Sequence, residues 1–127
     1  MDHEIESLIA DAPLSAHLAT TVADRPHVAP VWYDYDDGYL RVLTGGKKLR
    51  NIDRNPQVAV SIEQANGPAV EWSVTLLGIA EIVEDPKRVR AISRRINAKY
   101  RGRDEASETT DGTMIDIAVG SATAQQY

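Results

Sequence analysis

The stretch LSAHLATTVADRPHVAPVWYDYDDGYLRVLT, residues 14–44, decides the reading of the fold. Ala16, Leu18, Thr20 and Val22 alternate with Ser15, His17, Ala19 and Thr21, the two-residue period of a strand with one buried face. Ala23-Asp24-Arg25-Pro26 reads as a turn, and His27 to Tyr35 as a second strand with Pro30 inside it. Proline cannot donate to a ladder, so that strand needs an edge, a bulge or an irregular stretch at this point. Asp36-Asp37-Gly38 is a hairpin signal. Tyr39 to Thr44 follows as a third strand, so the stretch predicts a three-strand antiparallel meander.

Before it, Ile5, Leu8, Ile9 and Ala12 fall at helical spacing and Pro13 closes the run, giving an N-terminal helix within residues 1–13. After it, Gly45-Gly46 breaks the pattern, and Lys47 to Asn55 reads as a short helix with Leu49 and Ile52 inward. Val58, Val60 and Ile62 mark a fourth strand, and a long fifth runs from Val70 to Val83, with Gly78 where it bends. Asp85-Pro86 is an N-cap followed by proline in the first helical position. The helix it opens buries Val89, Ile92, Ile96 and Tyr100, and Arg101 to Gly112 is a polar connection. Met114 to Val119 is the last strand, with residues 120–127 as a tail. Six short antiparallel strands predict a mainly β protein: a six-stranded, Greek-key-like barrel with short helices over its openings, in one domain of 127 residues.

Composition narrows the function classes. With 14 basic and 19 acidic residues the chain carries −5, which argues against broad nucleic-acid binding. No apolar run approaches the about twenty residues of a membrane span, and the acidic start is unlike a secretory signal. There is no cysteine, hence no disulfide, thiolate metal site or cysteine nucleophile, and three scattered histidines give no metal motif. The expectation is a soluble, cytoplasmic protein. Lysine occurs only at 47, 48, 87 and 99, and Asp outnumbers Glu eleven to eight. Such a composition fits a halophilic cytoplasm, and equally a GC-rich coding bias.

Two segments carry chemistry. Thr44-Gly45-Gly46-Lys47-Lys48-Leu49-Arg50 takes a strand through two glycines into a basic helix start. Backbone N–H groups, the helix terminus and full lysine charges together make an anion site; the alternative is a plain turn and a solvated basic face. Val28-Ala29-Pro30-Val31-Trp32-Tyr33 puts two aromatics beside an irregular strand, either a wall for a planar ring or ordinary core packing. No matched carboxylate pair and no Ser–His–Asp set can be assembled. A hydride-transfer protein needs none, because the cofactor brings the reactive atom.

The ordered set His17-Leu18-Ala19-Thr20-Thr21, Arg25 through Tyr33, Thr44, Lys47 through Ile52, Asn55 through Val60 and Leu77 through Pro86 resembles the pyridoxamine 5′-phosphate oxidase-like split-barrel family. The resemblance implies an FMN-binding split β-barrel homodimer with cofactor sites at the subunit interface. By position, it implies that Val28, Ala29, Pro30, Val31, Trp32 and Tyr33 follow the flavin ring and ribityl chain. It further implies that Leu43 and Thr44 close the strand side, that Lys47 and Lys48 hold the phosphate, and that Ser73 supplies a polar contact. The pyridoxamine phosphate oxidases proper continue into an Arg-containing segment that this sequence lacks, so a different small organic substrate is expected. The size is similar to that of the small flavin- or deazaflavin-dependent reductases, some of which use F420, whose phosphate would occupy the same Lys47 and Lys48 site, so the resemblance leaves FMN and F420 both open. The expected function is hydride exchange between bound FMN (or F420) and a small molecule. Flavin storage or electron transfer without turnover, and a barrel with no cofactor, are the competing readings.

Overall fold

The computed structural model describes residues 1–44, 47–106 and 113–127. Along the chain it forms α1 (His3–Ile9), β1 (Ala16–Val22), β2 (Arg25–Val31), β3 (Asp34–Asp36), β4 (Tyr39–Val42) and α2 (Lys47–Arg54). Then come β5 (Gln57–Asn66), β6 (Ala69–Glu84), α3 (Pro86–Arg101) and β7 (Thr113–Gln126). The strands make one sheet in the order β2-β1-β5-β6-β7-β4-β3, and every pairing is antiparallel.

That order dictates the shape. β2 ends at Val31 and β3 begins at Asp34, yet they are the two outer edges of the sheet. The connection through Trp32 and Tyr33 can span only about 10 Å, whereas seven strands laid flat would separate the edges by about 29 Å. The sheet is therefore curled into a barrel, open along a seam between β2 and β3.

The expected meander is corrected here. The strand read over His27–Tyr35 is broken in two, which raises the strand count from six to seven and sends the halves to opposite edges. Tyr33 causes the break: its side chain is fully buried and its hydroxyl donates to Ile9 O at 2.7 Å. Its backbone N–H donates to the Tyr100 hydroxyl at 3.3 Å instead of to a strand. The 120–127 tail is corrected as well, since β7 continues to Gln126 opposite Trp72. Leu77 faces Ser121 and Gly78 faces Val119, so Gly120 is the extra residue of a bulge that lets pairing resume beyond it. The first helix ends at Ile9, short of the run read through to Ala12.

Other local signals act as read. The Asp85 carboxylate accepts from the N–H groups of Lys87 and Arg88, and Pro86 opens α3. Tight two-residue turns with positive φ at Asp37 and Gly38, and at Ala23 and Asp24, join the hairpins. Inward residues Leu18, Tyr33, Leu40, Val60, Ile62, Leu76, Ile115 and Ile117 fill the barrel. Val89, Ile92 and Ile96 of α3 form a second cluster with Met114, against which Leu43, Val83 and Tyr100 pack. None of the helices among the described residues is long and apolar enough to cross a membrane.

Candidate cofactor site

The last turns of α3 close the seam. Tyr100 donates its hydroxyl to Leu14 O at 2.7 Å while accepting from Tyr33 N–H. Lys99 Nζ donates to Tyr33 O at 3.2 Å and stands 3.5 Å from the Tyr33 ring centroid. Both backbone groups of the residue that breaks the sheet are thus taken up by the helix, as buried polar groups require. Trp32 points the other way. It is 40% exposed, lies flat against Tyr100 with ring centroids 4.5 Å apart, and carries the Arg101 guanidinium 5.3 Å from its ring centroid.

Burial sets the electrostatics. It holds Lys99 at about 8, against the pull of the Asp34 and Asp11 carboxylates toward the charged form. Burial likewise pushes Tyr100 up to about 12, with the Tyr33 N–H working in the opposite direction, and raises Tyr33 further still.

The residues singled out from sequence divide as follows. β2 is an edge strand, so one row of its backbone groups faces no other strand. Val28 and Pro30 point outward and Ala29 and Val31 are half-buried, with Val28 62% exposed. Trp32 and Leu43 meet: together with Ser93, Ile96, Asn97 and Arg101 they line a cavity of about 130 Å³. Thr44, half-buried, carries the chain on toward α2, and Lys48 lies half-buried in its first turn. Gly45, Gly46 and the Lys47 side chain lie outside the described residues. Tyr33 has no open face, being a strut in the core. Ser73 sits on β6 opposite Glu63 and Gln125, three strand positions from β2, apart from the Trp32–Leu43 group.

Sequence reasoning missed the contribution of α3. Ser93, Asn97 and Arg101 recur every fourth residue, which was the available signal for one helix face turned toward Trp32.

These features fit a planar, phosphate-bearing ring system. An edge strand offers backbone donors and acceptors, Trp32 and Val28 offer apolar contact, and α2 opens with the half-buried Lys48 in its first turn. On the inner side of β2, the buried His27 Nδ1 has no hydrogen-bond partner. Among the described residues no three His, Cys, Asp or Glu side chains gather as a metal site.

The family model described as pyridoxamine 5′-phosphate oxidase matches residues 1–126. No curated protein sequence matches significantly. Among solved structures, a protein titled F420 reductase shares 30% identity over 93% of this chain and 94% of its own, with a TM-score of 0.74. A conserved hypothetical protein from Mycobacterium tuberculosis superposes with a TM-score of 0.82 at 21% identity, covering 99% of this chain and 85% of its own. An FAD-binding protein from Mesorhizobium loti gives 0.76 at 18% identity, over 98% and 94% of the two chains. The latter two, at such identities, speak to the fold alone.

Proposed function

This chain belongs to the pyridoxamine 5′-phosphate oxidase family, and on that footing we propose an oxidoreductase that passes hydride between a bound flavin-type cofactor and a small organic molecule. The observation that carries the reading is the 30% identity to an F420 reductase over nearly the whole of both chains. That identity supports F420 as a cofactor candidate beside FMN. When bound, either ring would supply the hydride-accepting position.

The chain's own residues supply binding and orientation. The outer edge of β2 from Val28 to Val31 lies along the ring edge, and Trp32 limits it at the seam. Leu43 and Thr44 lead to the phosphate, which Lys48 holds with Lys47 beside it. A second copy of the chain is proposed to complete the site, which would bring Ser73 of one protomer to it.

Titration of F420, FMN and riboflavin into the purified protein tests this. Either phosphate-bearing ligand is expected to bind, and Lys48→Ala to weaken it about ten- to a hundred-fold, the loss of one charge-assisted hydrogen bond. Riboflavin has no phosphate and is expected to be indifferent to the substitution. Arg54→Ala, at the exposed end of α2, is the control and leaves all three unchanged. Equal losses for FMN and riboflavin overturn the phosphate assignment, and binding of none of the three overturns the function.

A further inference from the structure

A second cavity lies on the other side of α3. It measures about 510 Å³ and is lined by Ala10 and Asp11 after α1, Asp34 and Tyr35 of β3, and Arg95, Ala98 and Lys99 of α3. The helix separates it from the Trp32 cavity, which uses Ser93, Ile96, Asn97 and Arg101. Its volume is within the range of small-ligand pockets.

We propose that this cavity binds a small zwitterion bearing a primary ammonium and a carboxylate. Asp34 is 6% exposed; its Oδ1 accepts from Arg95 Nε at 2.9 Å, and its Oδ2 is buried with no partner. A buried carboxylate oxygen without a donor is costly, and a ligand ammonium is the group that matches it. Lys99 lines the same cavity; of the three donors of its ammonium, one goes to Tyr33 O and the nitrogen stands over the Tyr33 ring, which leaves at most two for a ligand carboxylate. Arg95 brings a fork of donors, of which Nε is committed to Asp34.

The lining therefore balances two carboxylates, Asp11 and Asp34, against two cations, Arg95 and Lys99. A singly charged ligand meets repulsion from one pair, whereas a dipolar ligand satisfies both. Arg95 forms the outer wall: its side chain is 53% exposed, whereas the side chain of its partner Asp34 is 8% exposed. Ala10 and Ala98 leave the interior open. This site is independent of the cofactor reading, because no residue is shared between the two cavities.

Calorimetric titration at neutral pH tests the proposal, with glycine and γ-aminobutyrate as probes and propylamine and propionate as half-ligands. At least one zwitterion is expected to bind saturably and about tenfold more tightly than either half-ligand. Asp34→Asn and Lys99→Gln are each expected to weaken it by about tenfold or more, while Arg54→Ala at the exposed end of α2 leaves it unchanged. A thermal melt of each variant establishes that it is folded. Should Asp34→Asn fail to fold, Lys99→Gln and the more exposed Arg95→Gln decide the matter. No saturable binding of either zwitterion up to roughly 10 mM, half-ligands binding as tightly, or unaffected variants would each overturn it.

Discussion

Trp32 lies face to face with Tyr100, the ring planes 5° from parallel and the centroids 4.5 Å apart. The two residues join the broken edge of the sheet to the end of α3, and the Tyr100 hydroxyl fixes the joint to the backbone on both sides, at Leu14 O and Tyr33 N–H. Tyr100→Phe keeps the stack and leaves those two groups unpaired, so it is expected to cost about 1–3 kcal/mol. Tyr100→Leu removes the stack too, for a further loss of about 0.5–1.5 kcal/mol. Urea unfolding monitored by circular dichroism ranks the three proteins. If the Phe variant matches the parent, the hydroxyl is not a strut.

Stability has a pH signature centred on Lys99. Its folded value is lowered to about 8 by burial, whereas an unfolded lysine titrates near 10.4. Between those values the unfolded chain holds the extra proton, so stability rises with pH from about 8 toward 10. Tyr35 and Tyr100, both pushed up to about 12 chiefly by burial, act with the opposite sign. Above about 10 the unfolded tyrosines ionise first, and stability falls. The melting temperature should therefore climb through mildly alkaline pH and then drop, and Lys99→Met should lack the climb. A parent protein with no climb, or a variant that keeps it, disproves the assignment.

Legibility in the sequence followed the range of the forces involved. Period-two alternation, the Asp85-Pro86 cap and the Asp37-Gly38 turn act over a few residues, and each places its element within a few positions. The break at Tyr33 was hidden because its cause lies far along the chain: bonds to Ile9, 24 residues away, and to Tyr100, 67 away. β7 was cut short for a similar reason. Gly120 looks like a strand's end until β6 is seen to pair on both sides of it. Around Trp32, the edge strand was readable from Pro30, while the α3 wall needed the closed barrel to bring it there.

Gly78 records a close approach that a methyl group would prevent. A Cβ built there would stand 2.6 Å from Ala118 O and 2.9 Å from Ile117 Cγ2. The first is backbone in the neighbouring strand, which can yield only by prising β6 from β7. Gly78→Ala is expected to destabilise the fold by about 1–3 kcal/mol, the usual cost of overpacking. Gly67→Ala provides the contrast: nothing lies within 4 Å of its Cβ, and its penalty comes from its φ of 61° alone. Denaturant midpoints for the two variants separate crowding from backbone strain, and a Gly78→Ala protein as stable as its parent would refute the close approach.

The outer face of the barrel argues for a second copy of the chain. Val28 faces Ala19, Ala19 faces Ala59, and Ala59 faces Leu77, a row of apolar side chains across four strands. Val28, Leu77 and Ile79 stand 62%, 55% and 53% exposed, where a solvated sheet face would alternate to polar residues. Beside them Leu77, Gly78, Ile79, Gly120 and Ser121 line a hollow of about 290 Å³. An apolar face of this kind on a small domain is expected to be covered by a partner, and a twofold axis would let the same row meet itself. A charge placed in it would be desolvated without a partner. Leu77→Asp with Ile79→Asp is therefore expected to shift a dimer to monomer without unfolding it, because both side chains point away from the core. Light scattering over a concentration series gives the mass, and circular dichroism confirms the fold. If subunits share the cofactor, the same pair of substitutions also weakens F420 or FMN, though neither residue is placed against the ring. A parent protein that runs as a monomer at about 100 μM removes the interface, and a monomeric variant with undiminished cofactor affinity confines the site to one subunit.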